Sequence, residues 1–385
     1  MDYKKYLKEK CLEFWLEHSI DYENGGIYTC LDREGKIYGE EKSVWFQGRA
    51  LWTFSKAYNL IEKNTEYLKA AKAIYEFLPK CEDTDGRMFF TVTKEGKGIQ
   101  KRRYYFSETF AAIGCLEYYK ATNDDNALLN AEKYFAIAYD CFKGKIKLEP
   151  KFNPETNNLK SLSPVMIMLA TAQVFRSVDK LYDKYNKIAK ECLDEILNGG
   201  FMTDKALLEH VSKDGKPVNT PTGRIVNPGH SLEAAWFIMA EGLLTDNKEA
   251  IEKAKKIIDI TLPLGIDETN GGIIAFTDLN GNPPVQLEWD MKLWWPQCEA
   301  MIALRLAYLV FKEEKYNNLY LELKKYCEKY FIDVENGEWY GYLHYDNTVS
   351  TMLKGNIFKG PFHVPRLYMI MTVMDETNGL KTFFE

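Results

Sequence analysis

Five stretches of this chain repeat one design, and their spacing limits the fold more than any other feature. They are Asp21 to Lys36 (DYENGGIYTCLDREGK), Asp83 to Lys97 (DTDGRMFFTVTKEGK), Asp204 to Lys216, Asp267 to Asn282 (DETNGGIIAFTDLNGN) and Asp333 to Asn347 (DVENGEWYGYLHYDN). Each sets turn residues before a short run rich in β-branched or aromatic side chains, the pattern of a hairpin. Consecutive starts lie 62, 63 or 66 residues apart, and the one doubled gap puts a sixth copy at Lys143 to Asn158. Between the copies, apolar residues at i, i+3, i+4 spacing, as in Leu51/Phe54/Tyr58 and Met301/Leu304/Tyr308, mark helices in pairs. Helices that follow a hairpin are expected to begin near Val44, Tyr104, Leu162, Pro228, Met291 and Pro361. Those that precede one should begin near Tyr3, Glu66, Asp125, Leu181, Lys248 and Tyr316, and these carry more Lys and Glu. Twelve helices, a less charged set alternating with a more charged one, predict an all-α chain: an (α/α)6 barrel with an inner ring inside an outer ring and short β-hairpins at one rim. An open solenoid would need polar capping repeats, and none is visible. Without a linker or low-complexity segment, residues 1–385 read as a single barrel domain.

Composition excludes several classes of function. The longest apolar run, Val165 to Ala170, falls far short of the roughly 18 residues that span a bilayer. The opening Met1-Asp2-Tyr3-Lys4-Lys5 leads into an amphipathic helix without an apolar core region, so no secretory signal and a cytoplasmic location are expected. A net charge of -6 gives no reason to expect nucleic acid. Eight cysteines are scattered with no CxxC pair and read as reduced, structural thiols, with no metal site. Phosphate-loop, GxGxxG, HExxH and GxSxG patterns are all missing, which removes support for phosphoryl transfer, nicotinamide chemistry and zinc hydrolysis.

The chemistry-bearing residues fall in the first two turns of the less charged helices. In Asn227-Pro228-Gly229-His230-Ser231-Leu232-Glu233, Asn227 is placed to cap and Pro228 suits the first helical position. His230 and Glu233 share a face, so the carboxylate is expected to hold one ring nitrogen, and the positive helix end is expected to keep the ring neutral. A second histidine, His363, opens the last such helix, with Arg366 three residues on. The other helices supply Trp45, Arg49 and Trp52, then Glu108, then Trp294, Trp295, Gln297 and Glu299. Indoles to cover sugar faces and bidentate groups for hydroxyls are what a carbohydrate pocket contains. Trp52 and one of Trp294/Trp295 read better as core, and Arg49 with Glu299 reads equally well as a structural ion pair. His210 and His344, in the hairpin segments, read as surface histidines.

Four stretches, Lys42 to Trp52 (KSVWFQGRALW), Asn227 to Trp236 (NPGHSLEAAW), Lys292 to Ala300 (KLWWPQCEA) and Lys359 to Arg366 (KGPFHVPR), together resemble the N-acylglucosamine 2-epimerase family in order and across nearly the whole chain. The resemblance implies interconversion of N-acetyl-D-glucosamine and N-acetyl-D-mannosamine, a step of sialic acid metabolism. It implies His230 and His363 as the acid/base pair, Arg49 and Arg366 as binders of substrate or intermediate, and Glu233 and Glu299 as supporting carboxylates. Trp45, Glu108, Trp295 and Gln297 complete the candidate substrate contacts. The family also implies a homodimer, no consumed cofactor, and ATP as an activator. Lys143, Lys145, Lys147 and Lys151 are the candidate nucleotide contact, with a solvated charge run as the alternative. Cellobiose 2-epimerases and mannose isomerases are close relatives and give the alternative activities. A glycoside hydrolase using Glu108 and Glu299, and a binding protein without turnover, are the readings from other classes.

Overall fold

The computed structural model describes every residue except Arg103, Lys151, Phe152, Pro154 and Glu385. The helices that follow the hairpin segments are Val44–Leu60, Phe106–Thr122, Leu162–Arg176, Pro228–Leu244, Trp294–Phe311 and His363–Thr377. Those that precede them are a helical run over residues 3–18 whose middle winds as a π-helix, then Thr65–Phe77, Asp125–Phe142, Tyr182–Asn198, Lys248–Gly265 and Glu314–Tyr330. Starts at Val44, Asp125, Leu162, Pro228 and Lys248 coincide with the expected ones. At three of them the reason is local, because Asp124, Asn227 and Asn247 each accept a first-turn backbone N–H and so define where the helix begins.

Burial separates the two sets. The helix Pro228–Leu244 buries residues on every face, whereas Tyr182–Asn198 buries one stripe, Tyr185, Ile188, Ala189, Cys192, Leu193 and Ile196. A helix apolar all round must be enclosed, and a striped one has a wet side. All eight cysteines are buried and none is in a disulfide, consistent with small hydrophobes. No helix among the described residues is long and apolar enough to cross a membrane.

The contacts divide the chain into two compact parts. One comprises Met1–Lys151, Asp333–Trp339 and Met352–Met369; the other comprises 152–332, 340–351 and 370–385. In the first, Val44–Leu60 packs on Phe106–Thr122, and each is backed by the charged helix that follows it. Gly48 and Gly114 let the two backbones touch. A Cβ on Gly48 would lie 2.3 Å from the carbonyl carbon of Phe110, and one on Gly114 would lie 2.6 Å from the Gly48 oxygen. Gly48→Ala is therefore expected to cost about 2–3 kcal/mol by overpacking, read as a lowered urea midpoint; an unchanged midpoint would refute the backbone contact. In the second part, Pro228–Leu244 packs on Lys248–Gly265 and on Trp294–Phe311, and Leu162–Arg176 on Tyr182–Asn198.

The hairpin segments differ from expectation in one respect. Most turn back on themselves through isolated bridges such as Ile20↔Ile27, Glu82↔Met88, Met202↔Leu207 and Ile266↔Ile273, although Thr91–Val92 also pairs with Gly98–Gln100 in a short hairpin. The other ladders join a segment to the strand leading into the preceding buried helix. Lys42–Ser43 pairs with Thr91–Val92, Leu159–Ser161 with His210–Ser212, Ile225–Val226 with Thr277–Asp278, and Lys292–Leu293 with Tyr342–Leu343, all antiparallel. Strands of two or three residues cannot sustain a hairpin alone, and the chain entering a buried helix still has peptide groups to satisfy. The sixth copy, 143–158, falls partly outside the described residues.

The turns themselves are held by buried ion pairs. Asp21 accepts the N–H groups of Glu23 and Asn24, and Lys42, fully buried, donates to its carboxylate at 2.7 Å and to the carbonyls of Gly25 and Lys94 at 2.6 and 2.8 Å. Lys292 repeats this on Asp267, and Lys354 on Asp333.

Candidate active site

In the second part, the capped start of Pro228–Leu244 carries His230, whose N–H is accepted by Asn227 Oδ1 at 3.1 Å. The ring nitrogen Nδ1 is held at 2.9 Å by Glu209, a buried carboxylate from the hairpin segment. This corrects the expectation that Glu233 would hold it. Spacing along one helix puts Glu233 nearby, but the hairpin brings Glu209 onto the nitrogen itself. Glu233 is buried, and Glu299, fully buried, accepts the indole N–H of Trp236 at 2.8 Å. Burial alone would lower the affinity of His230 for its proton. The charge and hydrogen bond of Glu209, followed by the charges of Glu233 and Glu299, outweigh it and raise the pKa above its ordinary value. The downward push expected from the helix end is therefore outweighed by the three carboxylates, and the shift runs in the opposite direction. Trp295 lies half-buried with its ring 5.1 Å from the imidazole. Gly229 permits that approach, since a Cβ there would sit 2.5 Å from the Trp295 ring.

In the first part, His363 and Arg366 are both buried, and an Arg366 Nη2 lies 3.3 Å from His363 Nδ1. A guanidinium can only donate, so Nδ1 accepts and a neutral ring carries its proton on Nε2. Arg49 lies over the ring of Phe110 at 3.9 Å and over Phe362 at 4.8 Å, and Arg366 also lies 4.8 Å from the Phe362 centroid. The weakly hydrated guanidinium tolerates such an aromatic setting where an ammonium would not. Two cations and one imidazole thus gather about Phe362, with half-buried Trp45 edge-on to Phe90 beside them. The segment before His363 is fixed residue by residue. Lys359 donates to Glu338, which also takes the Trp15 indole N–H; Gly360 leaves no room for a Cβ against Phe46; the Pro361 carbonyl accepts the Thr53 hydroxyl at 2.7 Å.

Gln297 and Glu108 are placed differently from the other candidates. Gln297 is fully buried; its Oε1 accepts the Ile273 N–H, and its Nε2 donates to the carbonyls of Ile273 and Leu293. Gln47 does the same for Ile27 and Ser43. Glu108, also fully buried, accepts the Met88 N–H at 3.0 Å and pairs with Arg87. These three side chains clamp the hairpin segments to their helices, and the geometry assigns Gln297 and Glu108 to that scaffold rather than to a sugar. Trp52 and Trp294 are buried, in the core as expected, and His344 is exposed.

The sequence model of the family N-acylglucosamine 2-epimerase (GlcNAc 2-epimerase) matches residues 26–360, up to just before His363. The chain belongs to the N-acylglucosamine 2-epimerase family. The N-acylglucosamine 2-epimerase of Rattus norvegicus is 35% identical over 369 residues, covering 93% of this chain and 87% of that protein. That of Mus musculus is 34% identical over 366 residues, with the same two coverages. Among solved structures, the cellobiose 2-epimerase of Bacillus thermoamylovorans B4167 superposes with a TM-score of 0.83 at 22% identity, covering 95% of this chain and 97% of that one. This likeness shows the fold, the α/α barrel that the repeat predicted. Within the family's candidate residues, then, the structure gathers Trp45, Arg49, His363 and Arg366 in one part of the chain, and His230, Glu233, Trp295 and Glu299 in the other. Lys151, the candidate nucleotide contact, lies outside the described residues. Glu209 is the residue that sequence reasoning missed. Its only signal was a carboxylate in a segment otherwise made of turn and strand residues.

Proposed function

We propose that this chain is a carbohydrate epimerase that interconverts N-acetyl-D-glucosamine and N-acetyl-D-mannosamine, with His230 and His363 as the acid/base pair. The observation that carries the reading is that each histidine stands at the start of a buried helix with its Nδ1 held by a fixed partner, Glu209 or Arg366, so that both rings are oriented for proton transfer through Nε2. In the open-chain sugar the aldehyde acidifies the C2–H bond. One imidazole takes that proton, the electron pair passes to O1 as an enediolate forms, and the other imidazole returns a proton to the opposite face of C2. No electron leaves the sugar, so no redox cofactor is consumed. Arg49 and Arg366 supply donors for the charge on O1, and Trp45 and Trp295 supply apolar faces for the sugar ring.

The family activator, ATP, enters no step. Lys143, Lys145 and Lys147 are exposed and Lys145 pairs with Asp140 at 2.8 Å, which supports the solvated charge run over a phosphate contact for these three. Cytoplasmic location and a homodimer belong to the same reading by kinship. A hydrolase using Glu108 is disfavoured, because that carboxylate is buried against Arg87 and a backbone N–H.

Proton NMR of the protein with N-acetylmannosamine in deuterated water, with and without ATP, tests the reading. N-acetylglucosamine deuterated at C2 is the expected product, and comparison of the two samples gives the nucleotide requirement. No exchange there, with a ketose formed from mannose or an epimer from cellobiose, would move the chain to a neighbouring specificity. Release of a free sugar from a disaccharide would revive the hydrolase.

A further inference from the structure

We propose that Glu209 is the positioning residue of His230: it accepts the Nδ1–H, holds the proton of the neutral ring on that nitrogen, and so presents Nε2 as the atom that exchanges a proton with the substrate. The proposal rests on the epimerase reading for its last step only.

The scaffold has no use for a carboxylate at this position. Glu209 stands two residues beyond the bridge residue Leu207 of its segment; the same place after Ile27, Met88 and Ile273 is held by Thr29, Phe90 and Ala275. The backbone role at the position is to accept the first N–H of a buried helix. Glu209 accepts that of Leu162 at 3.0 Å, Phe90 that of Val44 at 2.8 Å, and Gly341 that of Trp294 at 3.0 Å. Phenylalanine and glycine therefore serve that backbone role as glutamate does, and threonine and alanine hold the same place in two other segments. Among these five positions Glu209 is the glutamate, and its Oε1 lies 2.9 Å from the imidazole of His230. The backbone around it is pinned on both sides, by the Glu209 N–H to Ile225 and by the ladder pair His210 with Ser161, so the carboxylate is delivered on a rigid element.

A free neutral imidazole distributes its proton between two nitrogens. A buried carboxylate at Nδ1 selects one tautomer and also favours the cation, since it accepts the same N–H in both states. The groups that face this ring are Glu209 from the hairpin segment, Glu233 from its own helix, Glu299 from the neighbouring helix and the indole of Trp295. Glu209 is the one with a hydrogen bond to the ring. Glu233 and Glu299 add to the affinity for a proton but do not choose between the nitrogens.

Glu209→Ala and Glu209→Gln in the full chain test this, with long-range proton–nitrogen NMR of the His230 ring as the first readout and the C2 exchange rate as the second. In the unaltered protein the neutral ring is expected to carry its proton on Nδ1. Glu209→Ala should release that preference, move the titration midpoint of His230 down, and lower kcat by about 10- to 100-fold, the usual loss when the partner orienting an imidazole is removed. Glu209→Gln keeps an acceptor without the charge, so it should retain the tautomer and recover part of kcat while the midpoint still falls. A Glu209→Ala protein with normal tautomer, midpoint and kcat would overturn the assignment. If the unaltered protein exchanges no C2 proton, the epimerase reading fails, and the ring NMR still decides the role of Glu209. The fold is monitored by thermal melting, and alanine is already what stands at position 275.

Discussion

His363→Asn is expected to lower kcat for C2 epimerisation by about 10²- to 10⁴-fold, and His230→Asn by a similar factor, the range that positioned acid/base groups contribute. Asparagine is the informative replacement at both sites. At 363 its carbonyl oxygen can still accept from Arg366, whose Nη2 approaches the native ring at 3.3 Å. At 230 its amide can still donate to Glu209. The surroundings are thus kept while the proton-transferring nitrogen is removed, and a loss of rate reports chemistry more than collapse of the site. Initial rates from both epimers, with C2 deuterium incorporation followed separately, distinguish the two bases. A single variant that still washes out the C2 proton from one epimer, without forming the other, would identify the face served by the remaining histidine. Near-normal turnover in either variant would refute a two-base scheme.

The largest effect on stability is expected at Lys42. Lys42→Met should cost about 3–5 kcal/mol, the usual result of breaking a buried pair from one side. The methionine fills the volume, but the Asp21 carboxylate keeps its desolvation cost and the Gly25 and Lys94 carbonyls lose their donor. Burial by itself would raise the Asp21 pKa. The N–H of Asn24, the Lys42 ammonium and the Tyr28 hydroxyl outweigh it and hold the carboxyl well below the usual carboxylate range. A carboxyl depressed in the folded state stabilises the fold above its unfolded pKa of about 4 and ceases to do so as pH falls toward the folded value. Urea unfolding at pH 7 and at more acid pH should therefore show the difference between Lys42→Met and the unaltered protein narrowing as pH falls. Adding Asp21→Asn to Lys42→Met should recover part of the loss, since it removes the stranded charge and leaves the turn's acceptor oxygen in place. An unchanged urea midpoint for Lys42→Met at neutral pH would show that the pair does not hold the turn.

Much of this protein was legible along the chain because its determinants are local. Helix starts follow from caps such as Asn227 and from apolar periodicity, and both act within one or two turns. The repeat of Asp-led segments at nearly constant spacing required six equivalent helix pairs, and equivalent connections placed the unusual residues, His230, His363, Arg49 and Arg366, at helix starts. What the tertiary structure decided is which polar group each of these side chains meets. Glu233 shares a helical face with His230, yet Glu209, 21 residues upstream, takes the ring nitrogen, because its backbone N–H donates to the Ile225 carbonyl and so ties that segment to the strand leading into the His230 helix. Gln297 and Glu108 sit among the candidate residues in sequence but turn inward to satisfy the N–H groups of Ile273 and Met88. Periodicity is set by the helix itself, whereas the choice among several carboxylates and amides within reach depends on hydrogen bonds made by backbone far away in the chain.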